Sequence, residues 1–85
     1  MTEPLYVAIS KEIGRARTKF PHNRHLLAAL IEEVGELAQA ILQAKPDEEI
    51  RKEAIQVCAV AIRIIKEGDA DFDGWTEADG EGLKR

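Results

Sequence analysis

Apolar positions along the chain fall into three blocks of helical length, separated by Pro21-His22-Asn23, Lys45-Pro46-Asp47 and Gly68-Asp69. In the first block Leu5, Ile9, Ile13, Ala16 and Phe20 recur at steps of three and four residues, which places them on one stripe of a helix. Thr2 offers a cap for that helix and Pro4 suits its first turn. The second block, from about His22 to Ala44, carries Leu26, Leu30, Val34, Leu37 and Ile41 on a stripe, with polar or small residues opposite. The third runs from Asp47 to Glu67. Ile50, Ala54, Val57, Cys58, Ala61, Ile64 and Ile65 share one side, and Ile55, Ala59, Val60 and Ile62 cover much of the rest. A helix apolar nearly all round is expected to be buried on most sides. Two short neighbours cannot enclose it, so part of its surface is expected to meet a second copy of the chain.

The pattern therefore predicts an all-α protein, a three-helix protomer in a helical bundle completed by homo-oligomerisation. Residues 1–68 form the helical domain and 69–85 an extended acidic tail. Four of the six glycines lie in the last eighteen residues, which speaks against a fourth long helix. With 85 residues, 45% hydrophobic and 33% charged, the chain has the composition of one small globular domain, a size at which self-association adds useful stability. No apolar run is long enough for a membrane span and Met1-Thr2-Glu3-Pro4 lacks the blocks of a signal peptide, so the expected setting is cytoplasmic, without a membrane partner. Sixteen acids against twelve bases give a net charge of −4, which disfavours a nucleic-acid partner. One cysteine, Cys58, excludes an internal disulfide and reads as a small core residue.

Chemistry concentrates in Glu32-Glu33-Val34-Gly35-Glu36 on the second predicted helix and Glu53-Ala54-Ile55-Gln56 on the third. Glu33 and Glu36 are three residues apart and share a helix face, and Glu53 and Gln56 repeat the spacing. Helices joined by a short turn pack antiparallel, so the four side chains can converge. Glu53 shares its face with Val57, Val60 and Ile64, unlike an ordinary solvated acid. Carboxylates about 4 Å apart repel by about 4 kcal/mol per pair at an effective dielectric of 20. Such a cluster calls for protons, basic partners or a cation, and oxygen ligands suit Mg²⁺ or Mn²⁺. The plainer alternative is a solvated acidic helix face.

The order Glu-Glu-x-x-Glu, a turn, then Glu-x-x-Asp on the next helix resembles the signature of the MazG-like all-α nucleoside triphosphate pyrophosphohydrolases. The resemblance covers about Leu26 to Asp69 and includes the run Ala29 to Ala38 and a largely apolar third helix. It implies that Glu33, Glu36 and Glu53 ligate Mg²⁺, and that Glu32 binds a further ion or orients the attacking water, with Glu36 sharing the catalytic work. The family's fourth ligand is an aspartate, and Gln56 stands in its place. An amide oxygen coordinates without adding negative charge, so lower metal affinity, another substrate or lost activity follow as alternatives. The implied reaction is Mg²⁺-dependent hydrolysis of a nucleoside triphosphate to monophosphate and pyrophosphate, by a homodimer or homotetramer. The rival reading is a non-catalytic, homo-oligomeric helical interaction module derived from this family.

Basic side chains for the substrate phosphates are sought in Arg63 and Lys66, on the helix that carries Gln56. Arg63 equally suits an ion pair with Glu67 four residues on. His25 shares a side of the second helix with Glu32 and Glu36, where it serves either substrate contact and proton transfer or a structural role. Asp69-Ala70-Asp71-Phe72-Asp73-Gly74 imitates the start of a calcium-binding EF-hand loop, but its twelfth position is Gly80 where glutamate is required. Phe72 and Trp75 instead suit docking of the tail onto the bundle or stacking on a base.

Overall fold

The computed structural model describes residues 3–72, and these form three helices: α1 (Leu5–Lys19), α2 (Leu26–Leu42) and α3 (Asp47–Glu67). The all-α expectation holds, and α3 has the limits its pattern predicts. Among the described residues no helix is long and apolar enough to cross a membrane. Helix α3 is the middle element, with α2 packed along one side and α1 along another. Pro46 precedes α3 and Asp47, Glu48 and Glu49 occupy its first turn, where negative charge complements the helix dipole. Gly68 ends it at φ 67° and ψ −164°, a conformation open essentially to glycine alone.

Two boundaries differ from the sequence expectation. Pro4 is the N-cap of α1 and lies outside its first turn, with its carbonyl accepting from Val7 and Ala8; Thr2 lies outside the described residues. Helix α2 begins at Leu26, four residues later than its pattern suggests, because His25 takes the left-handed conformation at φ 64° and carries no side-chain cap bond. The cap comes from the other end of the chain. Asp69 Oδ2 accepts from the Leu27 N–H at 2.9 Å and Asp71 Oδ2 from the His25 N–H at 3.0 Å. Asn23 returns the exchange, its side-chain nitrogen donating to the Glu67 carbonyl and its own carbonyl accepting from Ala70. Asp69 and Asp71 of the calcium-loop-like run thus cap a helix, and Asp73 lies outside the described residues. The start of the segment assigned to the tail, Asp69 to Phe72, is a turn locked onto the α1–α2 loop, and Asp69 is 1% exposed. The remainder of that segment, Trp75 included, lies outside the described residues.

Helix α2 ends with the Lys45 N–H bonded to the Ala40 carbonyl and the Ala44 N–H to that of Ile41, a Schellman arrangement. Ala44 occupies the left-handed position at φ 53° that glycine usually takes. Pro46 then blocks continuation.

The apolar core among the described residues is small: Leu26, Ala40 and Ala59 are fully buried. The α2 stripe divides. Leu26, Leu30 and Leu37 turn inward, whereas Val34 and Ile41 are exposed, as are Leu27 and Ile31. The apolar arc of α2 is wider than the single neighbour that covers it. Cys58 is exposed, against its reading as a core residue, because it lies on the side of α3 that neither neighbour reaches. Much of α3 is only half-buried for the same reason.

Candidate metal centre and cleft

Glu33 and Glu36 project from the middle of α2, and Glu53 and Gln56 from the second and third turns of α3. The antiparallel pairing brings them together. Glu33, Glu36 and Glu53 each offer a carboxylate oxygen, and these oxygens lie within 4.8 Å of one another. Glu33 and Glu53 are half-buried against the helix interface, while Glu36 and Glu32 are exposed at its edge. Burial pushes the Glu33 carboxyl above its usual range, helped by the charges of Glu36, Glu53, Glu32 and Glu12.

Gln56 stands between two of the acids. With its amide nitrogen toward them it donates to Glu53 Oε1 at 3.0 Å and to Glu33 Oε1 at 2.9 Å; turned over, its oxygen faces the same two carboxylate oxygens. The second arrangement sets oxygens against oxygens and is favourable only with a cation among them. The first offsets part of the carboxylate repulsion without one. Three carboxylates and an amide oxygen on facing helices form a donor set suited to a hard divalent cation, so the residues present fit Mg²⁺ or Mn²⁺. Gln56 is compatible with either state, which an aspartate at this position would not be.

Glu33 and Gln56 reach one end of a cleft of about 510 Å³ between α1 and α2, floored by α3, whereas Glu36 and Glu53 lie outside its lining. Glu12, Glu32, Glu33 and Gln56 line that end, and Lys19, Arg24, His25 and Arg63 line the other. Gln56 and Arg63 are seven residues apart on one helix, so the two ends are separated by about 10 Å at 1.5 Å per residue. A volume of this size suits a small-molecule ligand. Glu12 and Arg15 are bonded at 2.6 Å, and that hydrogen bond and the Glu12 charge raise the Arg15 pKa.

The two sequence candidates for phosphate contacts separate in space. Arg63 is 2% exposed and sits in the cleft floor. It donates from Nε and Nη2 to the Glu67 carboxylate at 3.2 and 3.0 Å, and from Nη2 to the His22 carbonyl at 2.9 Å. The alternative ion pair with Glu67 is therefore formed. Arg17 adds a contact from α1 to Glu67 at 2.7 Å. Burial opposes ionisation of Glu67, but the hydrogen bonds and charges of Arg63 and Arg17 outweigh it and hold the carboxyl below its usual range. Lys66 is exposed and lies outside the cleft. His25 lies at the cleft rim, its Nδ1 2.8 Å from Asp71 Oδ2.

Sequence reasoning missed Glu12, Arg15, Lys19 and Arg24 as cleft residues and Asp69 as a cap. The first three recur at helical spacing beside the Ile9/Ala16 stripe, a signal of a polar flank next to a packed face. Nothing local marks Asp69 as the cap of a helix more than forty residues earlier in the chain. No protein-family model, curated protein or solved structure matches this chain.

Proposed function

We propose that the protein hydrolyses a nucleoside triphosphate to the monophosphate and pyrophosphate with Mg²⁺ or Mn²⁺, as a self-associating relative of the MazG-like pyrophosphohydrolases. The observation that carries this reading is the convergence of Glu33, Glu36 and Glu53 within 4.8 Å, with the Gln56 amide between Glu33 and Glu53. Glu33, Glu36, Glu53 and the Gln56 oxygen would hold the ion. Bound there, it supplies charge neutralisation for phosphate oxygens and a more acidic water. Glu32, exposed on the cleft wall beside Glu33, orients that water and takes up its proton. Lys19 and Arg24, at the opposite end, attract the remaining negative charge of the ligand. Arg63, engaged by Glu67 and His22, contributes positive potential from the floor, while Lys66 is left to long-range attraction. The cleft volume supports an occupant of nucleotide size.

One observation favours a second reading. With its amide nitrogen toward the acids Gln56 bridges Glu33 and Glu53, an arrangement that relieves the acidic cluster with no metal and suits a non-catalytic helical module.

Product analysis separates the two. The protein is incubated with Mg²⁺ or Mn²⁺ and a panel of ribo- and deoxyribonucleoside triphosphates, beside Glu36→Ala and Glu53→Ala. Monophosphate plus pyrophosphate, abolished in both variants with helix content retained, supports the enzyme. No turnover with either metal across the panel, or unchanged turnover in both variants, rejects it.

A further inference from the structure

We propose that the basic end of the cleft is a phosphate site of its own, so that the ligand is a nucleotide carrying phosphate on both sides of its nucleoside, such as a 3′-phosphorylated nucleoside triphosphate. The placement of the 5′-phosphates at the acidic end rests on the reading above; the basic end does not.

All three helices bring the same pattern to the cleft. Glu12 and Lys19 on α1, His25 and Glu32 at the start of α2, and Gln56 and Arg63 on α3 are each seven residues apart. Seven residues are two helical turns, so the members of a pair share a face about 10 Å apart. The order is reversed on α2, which runs antiparallel to α3, and like members therefore gather at like ends. Between them lie Ala16, Ala29 and Ala59, each three or four residues from both members of its pair and each lining the cleft. This middle layer selects the ligand. A triphosphate chain stretched along the cleft would set charged oxygens against alanine, at a desolvation cost. A nucleoside lays its base and sugar carbons there instead, with phosphate reaching out at either side.

The basic end is built to receive that second phosphate. Lys19 and Arg24 have no carboxylate partner among the described residues. Arg63 is 2% exposed, and its bonds to Glu67 and His22 use Nε and Nη2. Nη1 makes none, yet no buried side-chain nitrogen among the described residues lacks a partner. It is therefore open to the cleft that Arg63 lines. Asp71 Oδ2 binds His25 at both its N–H and Nδ1, which leaves Nε2 for a ligand. Asp69 is taken up by the Leu27 and Asp71 N–H groups. Donors held by bonds on their far side are preorganised for an oxyanion.

The test is calorimetric binding to the full chain, in Mg²⁺, of nucleoside 3′,5′-bisphosphates and the matching 5′-monophosphates of the common bases. With at least one base the bisphosphate is expected to bind about tenfold more tightly, the gain from a charge-assisted contact. That preference shrinks several-fold in Lys19→Ala and in Arg24→Ala, both at exposed sites, and is kept in Lys52→Ala, which lies outside the cleft. Equal affinity for the two ligands, or no binding of either with any base, overturns the proposal. So does a preference that survives both cleft substitutions. Turnover of the triphosphates is followed separately. The preference without turnover keeps this site and rejects the hydrolase, and turnover without the preference does the reverse.

Discussion

Glu33→Gln removes one charge from the acidic cluster and almost no volume, so its effect on stability isolates the electrostatic cost of the site. At the 4.8 Å limit of the triad, two unit charges repel by about 0.9 kcal/mol in a water-like dielectric and by about 3.5 kcal/mol at an effective dielectric of 20. Glu33 has two such neighbours, and the exposure of Glu36 and half-burial of Glu53 put the sum near the lower limit. The glutamine oxygen can still accept from Gln56, so little hydrogen bonding is lost. In EDTA at low salt the variant is expected to be about 1–2 kcal/mol more stable than wild type, or about 4–16 °C in Tm for a domain of this size. The raised pKa of Glu33 has the same origin: burial and four neighbouring carboxylates disfavour its charge. Excess Mg²⁺ reverses the order. A cation at 100 times its Kd stabilises the wild type by about 2.7 kcal/mol, and the variant, one ligand charge short, gains less. Thermal melts followed by circular dichroism in EDTA, in EDTA with 1 M NaCl and in Mg²⁺ test the set, with salt shrinking the difference in EDTA. A Glu33→Gln protein less stable than wild type in EDTA would refute the reasoning, since the carboxylate would then be held by net favourable contacts.

Three further predictions concern the scaffold. Ala44→Gly relieves the left-handed strain at the end of α2 and should raise unfolding free energy by about 0.5–1 kcal/mol in urea titration; a loss would mean the extra chain entropy of glycine prevails. Asp69→Ala removes acceptors used by the Leu27 and Asp71 N–H groups and should cost about 2–3 kcal/mol, with Asp69→Asn milder, as read by urea titration and amide exchange at the start of α2. The third is a pH dependence. The folded pKa of Glu67 is depressed below its unfolded value near 4.3. Its contribution is therefore complete above about pH 5 and lost as pH falls through the folded value. The stability advantage of wild type over Glu67→Gln should be constant from pH 7 to about 5 and shrink toward pH 3; an advantage unchanged at pH 3 would show that Arg63 and Arg17 gain nothing from the charge.

Periodicity alone determined the three helices, because an apolar repeat of 3.6 residues and a proline or glycine break are local properties. It also determined that Glu33, Glu36, Glu53 and Gln56 can meet, since three-residue spacing on two helices joined by a short turn leaves their facing sides few alternatives. Beyond that, tertiary structure decided. Which part of an apolar arc is covered depends on how many neighbours reach it, so Val34, Ile41 and Cys58 read as core from the pattern yet lie exposed. Arg63 had two readings of equal standing, and the approach of His22 and Arg17 to it and to Glu67 formed the ion pair. The cleft needed α1, whose Glu12 and Lys19 carry no motif and gain meaning only beside α2. The cap of α2 needed Asp69 from beyond α3. Hydrogen bonds and charges between segments distant in sequence leave no period in it, which is why the helices were legible and the couplings between them were not.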